Sequence, residues 1–232
     1  MDLSYIDKNV LDVRQRIASA AARGEACAKN ITLLAAIKSA EVCEIEHLCG
    51  KCGVTVVGEN RVQQLMERYE ALQKTGAEIH FIGSLQTNKV KYIIDKVSLI
   101  HSLDSERLAL EIQKQAQKRG MVARVLVEIN SGDEQSKGGI KPEEAEAFCL
   151  WLKRFRNIEV CGFMTMAPKC ENKENYYPYF EKTRDVAKRI WRDVLGNSGE
   201  PILSMGMSES FEQAIECGAN MIRVGRSLFN KN

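Results

Sequence analysis

The chain has 232 residues, with 33 lysines and arginines against 31 aspartates and glutamates, so its formal net charge is only +2. That balance gives no electrostatic case for nucleic acid or a membrane surface, and no stretch reaches the length of a membrane-spanning helix. The opening residues Met1-Asp2-Leu3-Ser4-Tyr5-Ile6-Asp7 have neither a basic n-region nor an apolar h-region, so a cytoplasmic protein is expected, its eight cysteines reduced.

Four prolines, no Ser/Gly linker and no low-complexity tract leave no visible domain boundary, and residues 1–232 are expected to form a single domain. Residues 1 to about 24 read as a helix, because Ile6, Val10, Val13 and Ile17 share one stripe and Gly24 offers a stop. The near-continuous apolar run Ile31-Thr32-Leu33-Leu34-Ala35-Ala36-Ile37-Lys38 reads as a strand buried on both faces. Alternation puts Thr32, Leu34, Ala36 and Lys38 on one side. A lysine there is costly without a partner. Three readings stay open at this point: a salt bridge, a snorkelling lysine at a strand end, or an amine that forms a Schiff base.

A helix over Glu41–Cys52 carries Val42, Ile45, Cys49 and Cys52 on its apolar stripe. Strand two is Val54–Gly58, followed by Glu59-Asn60-Arg61 and a helix with Val62, Leu65, Met66, Tyr69 and Leu72. Strand three is Ile79–Gly83 and strand four Ser98–Ser102, after which Asp104 or Ser105 caps a helix through Leu108 and Ile112. Strand five is Arg124–Asn130, with a polar loop from Ser131 to Gly139 and a helix through Ala145, Phe148, Leu152 and Phe155. Strand six is Ile158–Met164, and Phe180, Thr183, Ala187, Ile190 and Val194 mark the helix after it. Strand seven is Ile202–Met205, Ser208 opens a short helix through Phe211 and Ala214, and strand eight is Met221–Gly225. Eight strands that each precede a helical pattern argue for a parallel sheet closed into an α/β (β/α)8 TIM barrel. An open doubly wound sheet is the alternative, with exposed edges.

Active sites of such barrels lie at the carboxyl ends of the strands. Lys38, Asn60, Gly83, Asn130, Met164, Ser204 to Ser208 and Gly225 fall there, and closure brings strand eight beside strand one. Arg223 is placed inside the mouth, where a permanent cation needs an anion or a strong acceptor. Ser204-Met205-Gly206-Met207-Ser208 together with Gly225 and Arg226 offer small residues and backbone N–H groups to a phosphate, although either half alone reads equally as a capped turn. An amine, a phosphate cradle and a polar arm between them describe a pyridoxal 5′-phosphate (PLP) pocket.

The chain resembles the YggS/PROSC family of PLP homeostasis proteins, single-domain relatives of the alanine racemase N-terminal barrel. The resemblance rests on Gly58-Glu59-Asn60-Arg61-Val62-Gln63, His80-Phe81-Ile82-Gly83, Leu85-Gln86-Thr87-Asn88-Lys89-Val90, Ile100-His101-Ser102, Ser136-Lys137-Gly138-Gly139-Ile140, Gly162-Phe163-Met164-Thr165-Met166-Ala167-Pro168, Leu203-Ser204-Met205-Gly206-Met207-Ser208 and Ile222-Arg223-Val224-Gly225. It implies that Lys38 carries PLP as a Schiff base, that Ser208, Gly225 and the N–H of Arg226 hold the phosphate, and that Asn60 and Met164 line the ring; Ser204 is counted with them among the cofactor-binding residues. It places Arg223 at the pyridine nitrogen or the phosphate, and offers Lys137 as a secondary contact. Three positions depart from the family pattern. Ile37-Lys38-Ser39-Ala40 replaces a Ser-Lys-Thr-Lys-Pro-like segment, Ser210 stands for a usual aspartate, and Asn230 for a usual glycine.

The resemblance also bears on catalysis. A racemase needs a second base, which in the racemase family is a tyrosine on an additional domain. No such domain is expected here, and of Tyr5, Tyr69, Tyr92, Tyr176, Tyr177 and Tyr179 only the segment with the last three could fold over the mouth. A non-enzymatic, monomeric PLP carrier serving PLP-dependent apoenzymes is therefore expected. A weak racemase and a sugar-phosphate barrel are the alternatives. Cys49-Gly50-Lys51-Cys52, near Cys43 and His47, is read as core cysteines rather than a metal or redox site. His80 and His101 are read as hydrogen-bonded barrel residues, not general bases.

Overall fold

The computed structural model describes residues 2–24, 30–132 and 138–231. Helix α1 spans Ser4–Arg23, and its stripe of Ile6, Val10, Val13, Ile17, Ala20 and Ala21 is buried as its spacing requires. Strand β1 (Thr32–Ala36) begins an ordered run of parallel strands: β2 (Val56–Glu59), β3 (Glu78–Phe81), β4 (Leu99–Leu103), β5 (Ala123–Ile129), β6 (Ile158–Thr165), β7 (Ile202–Ser204) and β8 (Met221–Val224). Each pairs with the next, and β8 closes on β1 with Leu34 opposite Arg223 and Ala35 opposite Val224. The closed barrel was the expected architecture; the open sheet is excluded, because no strand edge is left free.

The intervening helices α2 (Val42–Gly50), α3 (Val62–Lys74), α4 (Val90–Ile93), α5 (Glu106–Lys118), α6 (Ala145–Leu152), α7 (Tyr177–Arg189), α8 (Phe211–Glu216) and α9 (Arg226–Phe229) surround the barrel. Glu41 and Glu44 form a capping box at the start of α2. Ser105 caps α5, accepting the Leu108 N–H. Side chains of the strands divide into two zones. One faces the helices and merges with their apolar stripes. The other fills the barrel with Leu34, Val56, Ile82 and Met221 on one side and Leu99, Leu126, Cys161 and Met164 on the other. Truncating a fully buried leucine such as Leu34 to alanine costs about 2–5 kcal/mol, so this packing holds the strand ends in place.

One irregularity matters for the site. Between Val125 and Leu126 the β5–β6 register skips Cys161, and Gly162 adopts φ +152 where a Cβ would strike the Ile202 backbone. This bulge breaks the strict alternation of strand six. Cys161 and Met164 consequently both point inward. Among the described residues, no helix is long and apolar enough to cross a membrane.

Candidate functional site

Strand β1 ends two residues earlier than its apolar pattern suggests. The Ile37 N–H still donates to Gly58 O, but the Ala40 N–H then turns back to Ile37 O and the chain enters the capping box of α2. Lys38 therefore lies beyond the strand and is exposed, not buried at its end. Of the three readings of this lysine, the salt bridge is absent: no hydrogen bond or ion pair joins Lys38 to another described residue. Its base is fixed from below. Arg68 donates to Ile37 O at 3.0 Å and stands 3.6 Å from the Glu59 carboxylate. Glu59 is wholly buried and accepts the N–H groups of Asn60 and Arg61. Burial raises its pKa, while those donors and Arg68 oppose the rise.

Lys38 opens into a cavity of about 340 Å³ at the carboxyl ends of the strands. Asn60, Ser208, Arg223, Gly225 and Arg226 line it as expected, so residues remote in sequence share one space. Gly83 is needed just behind it, since a Cβ there would come within 2.0 Å of Asn60 O. The Asn60 Oδ1 is buried and has no hydrogen-bond partner among the described residues. Such an orphan is costly unless a ligand or solvent satisfies it. Four cations, Lys38, Lys169, Arg223 and Arg226, line the cavity against the single carboxylate of Glu209, which pairs with Arg226 at 2.8 Å. The surplus of positive charge suits an anion. Larger hollows lie away from the mouth: one of about 580 Å³ beside Arg124, Ile158 and Glu159, and one of about 700 Å³ beside Arg23, Asn30 and Asn220.

Ser208 does not open a helix; α8 begins only at Phe211. Its Oγ instead accepts the backbone N–H groups of Gly225 and Ser227 at 3.3 and 3.4 Å. A hydroxyl and two convergent N–H groups thus sit at the junction of the loops after β7 and β8. Gly206, at φ +84, makes the turn possible, because a side chain there would meet Ala214 and Phe211. Ser210, in the place of the usual aspartate, is buried and its Oγ accepts the Met207 N–H, so the turn keeps a side-chain acceptor.

Arg223 is buried and faces inward. Its Nη1 donates to both the carbonyl and the hydroxyl of Ser204, each at 2.6 Å, and its Nη2 to Thr165 O at 2.9 Å. Burial lowers its pKa to about 10, partly offset by Glu128. The Glu128 carboxyl, also inside the barrel, is pushed up to about 7 by burial and then by Asp104, with Arg223 opposing. Ser204 supports Arg223 and does not itself line the cavity. Met164 lies in the interior layer; Met166, two residues on, lines the mouth instead. Lys137 is outside the described residues.

Met166 and Lys169 were missed as lining residues, whereas Met207 lies in the segment read at the mouth. Tyr176 belongs to the segment that could fold over the mouth, and it lines the cavity there. It is buried, stacks on Phe180, and its hydroxyl accepts the Cys170 N–H at 3.2 Å. Cys52 departs from the core position read for it. It is half-buried, and its thiol donates to Asp7 Oδ1 at 3.2 Å, where His47 Nε2 (2.7 Å) and Lys51 Nζ (2.8 Å) also meet the same carboxylate. Those donors hold Asp7 far below the usual carboxylate range, and burial with Asp7 pushes the Cys52 thiol up to about 11. The cluster ties α1 to α2 as an ion-paired hydrogen-bond knot, with Lys51 occupying the second carboxylate oxygen.

Residues 1–232 match the family described as alanine racemase, N-terminal domain. A pyridoxal phosphate homeostasis protein of Aquifex aeolicus is 46% identical over 222 residues, covering 96% of this chain and 95% of its own length. Among solved structures, an unknown protein from Bifidobacterium adolescentis superposes with a TM-score of 0.87 at 31% identity, over 99% of this chain and 97% of that one. PipY of Synechococcus elongatus, solved with PLP bound, gives 0.80 at 25% identity, over 94% and 100%.

Proposed function

The chain belongs to the YggS/PROSC family of pyridoxal phosphate homeostasis proteins, and from that premise we propose that it binds PLP covalently through Lys38, as a monomeric cytoplasmic carrier that buffers the coenzyme and delivers it to PLP-dependent apoenzymes. The observation that carries this reading is a juxtaposition. The Lys38 amine shares one cavity with Ser208 and Gly225, where the Gly225 and Ser227 N–H groups converge on the Ser208 hydroxyl, because β1 and β8 are neighbours.

The residues fit the coenzyme. PLP supplies an aldehyde that condenses reversibly with a primary amine, losing water, and a phosphate that carries its negative charge. Lys38 is the amine that opens into the cavity. The Ser208 hydroxyl and the N–H groups beside it are donors for a phosphate, and the positive lining favours its charge. The orphaned side-chain amide of Asn60, which can turn either end to a ligand, suits a ring oxygen. A volume near 340 Å³ lies at the small end of the roughly 300–1,000 Å³ range of ligand sites, as one ring with one phosphate requires.

The carrier reading, in preference to catalysis, is supported by two features of the mouth. Tyr176 is anchored to Cys170 and Phe180 as a wall, which ties down the tyrosine best placed to serve as a second base. Arg223 keeps its proton, so at a ring nitrogen it would donate and leave that nitrogen unprotonated, which weakens PLP as an electron sink. Titration of the apoprotein with PLP, followed by visible absorbance, should saturate at one equivalent. Incubation of the loaded protein with L-alanine or L-serine should give neither α-proton exchange at catalytic rates nor D-isomer. No absorbance change on titration would end the binding claim, and sustained turnover would end the carrier claim.

A further inference from the structure

Arg223 is the first member of a hydrogen-bonded chain that runs down the inside of the barrel. Its Nη1 lies 2.6 Å from Ser204 Oγ, which is 3.1 Å from His101 Nδ1. His101 Nε2 is 3.0 Å from His80 Nδ1, and His80 Nε2 is 3.4 Å from the carboxylate of Glu78. Ser204, His101 and His80 are buried, whereas Glu78 is exposed at the amino end of β3. The chain therefore joins the mouth to the opposite end of the barrel.

Its direction is fixed by its two ends. A guanidinium only donates, so Ser204 Oγ accepts from Arg223. The hydroxyl proton then has one acceptor within reach, His101 Nδ1. A ring that accepts at Nδ1 carries its single proton on Nε2, and donates it to His80 Nδ1. His80 is likewise left with its proton on Nε2, facing Glu78, which only accepts. The reverse direction strands the buried Ser204 hydroxyl proton without a partner. It also sets a bare His80 nitrogen against the Glu78 carboxylate, unless His80 takes a second proton in a buried position. Both alternatives are expensive.

We propose that His101 and His80 are positioning residues for Arg223: each with its ring proton on Nε2, they orient the Ser204 hydroxyl as an acceptor and so clamp the guanidinium at the mouth. Three of its five N–H groups are then spent on Ser204 and Thr165, and two remain for a ligand. What this means for PLP rests on the function proposed above; the clamp itself does not. The groups facing the two rings agree with single protonation. His101 is faced by His80 and Arg223, and His80 by Glu78 and Arg124. Burial dominates at both, lowering His80 to about 4 and His101 well below 6.5.

The test is nitrogen NMR of the apoprotein and of two variants. In the wild type both rings should show a protonated Nε2 and a bare Nδ1, and the two Nη groups of Arg223 should exchange slowly by rotation. His101→Phe removes the link and should release that rotation. His101→Gln, whose amide can accept from Ser204 and donate to His80, should restore it. PLP release from the loaded protein should quicken roughly tenfold in His101→Phe and much less in His101→Gln, as loss of one supporting hydrogen bond implies. A protonated Nδ1 on either ring, or slow Arg223 rotation that survives His101→Phe, would overturn the proposal. Should neither replacement fold, Ser204→Ala cuts the same link and takes their place. If the wild type fails to bind PLP, the proposed function falls and the ring and guanidinium signals still decide the clamp.

Discussion

Gly225 lies against Ala36 where the last strand meets the first: a Cβ at position 225 would stand 2.9 Å from Ala36 O and 3.3 Å from its side chain. This close approach brings the Gly225 N–H to Ser208 Oγ, and it puts the end of β8 beside the segment that carries Lys38. Gly225→Ala is therefore expected to push the two strand ends apart. The cost should be about 1–3 kcal/mol of stability, the usual range for overpacking. PLP binding should weaken at least tenfold. Urea unfolding and a PLP titration check the two effects separately.

The buried carboxyl of Glu128 sets a pH dependence. Its pKa is raised to about 7 in the folded state against 4.5 for the free side chain, so the folded state holds the proton that the unfolded state releases. Its contribution to stability is full below pH 4.5 and is lost as pH rises through 7. The lowered pKa values of His80 and His101 act in the other direction, costing stability as pH falls below 6.5. Glu128→Gln removes only the first effect. Relative to wild type, the variant should gain about 2 kcal/mol of stability between pH 5 and pH 8 by linkage. Urea unfolding at both pH values measures it, and an unchanged difference would contradict the assignment.

The thiol of Cys52, pushed up to about 11 and donating to Asp7, should be a poor nucleophile at neutral pH. Cys43 is exposed on α2, which ends at Gly50, just before Cys52. Limited alkylation at pH 7.5, read by peptide mass spectrometry, should modify Cys43 well before Cys52. Asp7→Asn, which removes the charge holding the thiol up, should narrow that gap.

Much of this arrangement was legible from residue order because barrel strands and helices are local patterns. The stripe Ile6-Val10-Val13-Ile17 is buried as its spacing demands, and eight apolar runs became eight strands. Closure follows from that count, and with it the meeting of Lys38, Arg223 and Gly225. The exposure of Lys38 was not legible, because β1 ends where the Glu41–Glu44 capping box draws the chain away, a matter of hydrogen bonding and not of hydropathy. Met164 was read as the last residue of strand six, but β6 runs on to Thr165, past a bulge at Gly162 that strict alternation does not show, and Met164 packs one layer below the mouth. Gly162 itself was the available signal, since an isolated glycine in a strand often marks a bulge. The chain from Arg223 to Glu78 joins four strands and could not be read from any one of them.

Lys38 is exposed and beyond the end of β1, so Lys38→Ala should leave stability within about 0.5 kcal/mol of wild type, as for other surface substitutions. The most direct measurement is borohydride reduction of the PLP-loaded protein, followed by peptide mass spectrometry, with Lys38→Ala in parallel. The account predicts a permanent PLP adduct on Lys38 in the wild type and none on any residue of the folded variant. An adduct on another lysine of the wild type, or none anywhere after saturation with PLP, would contradict it.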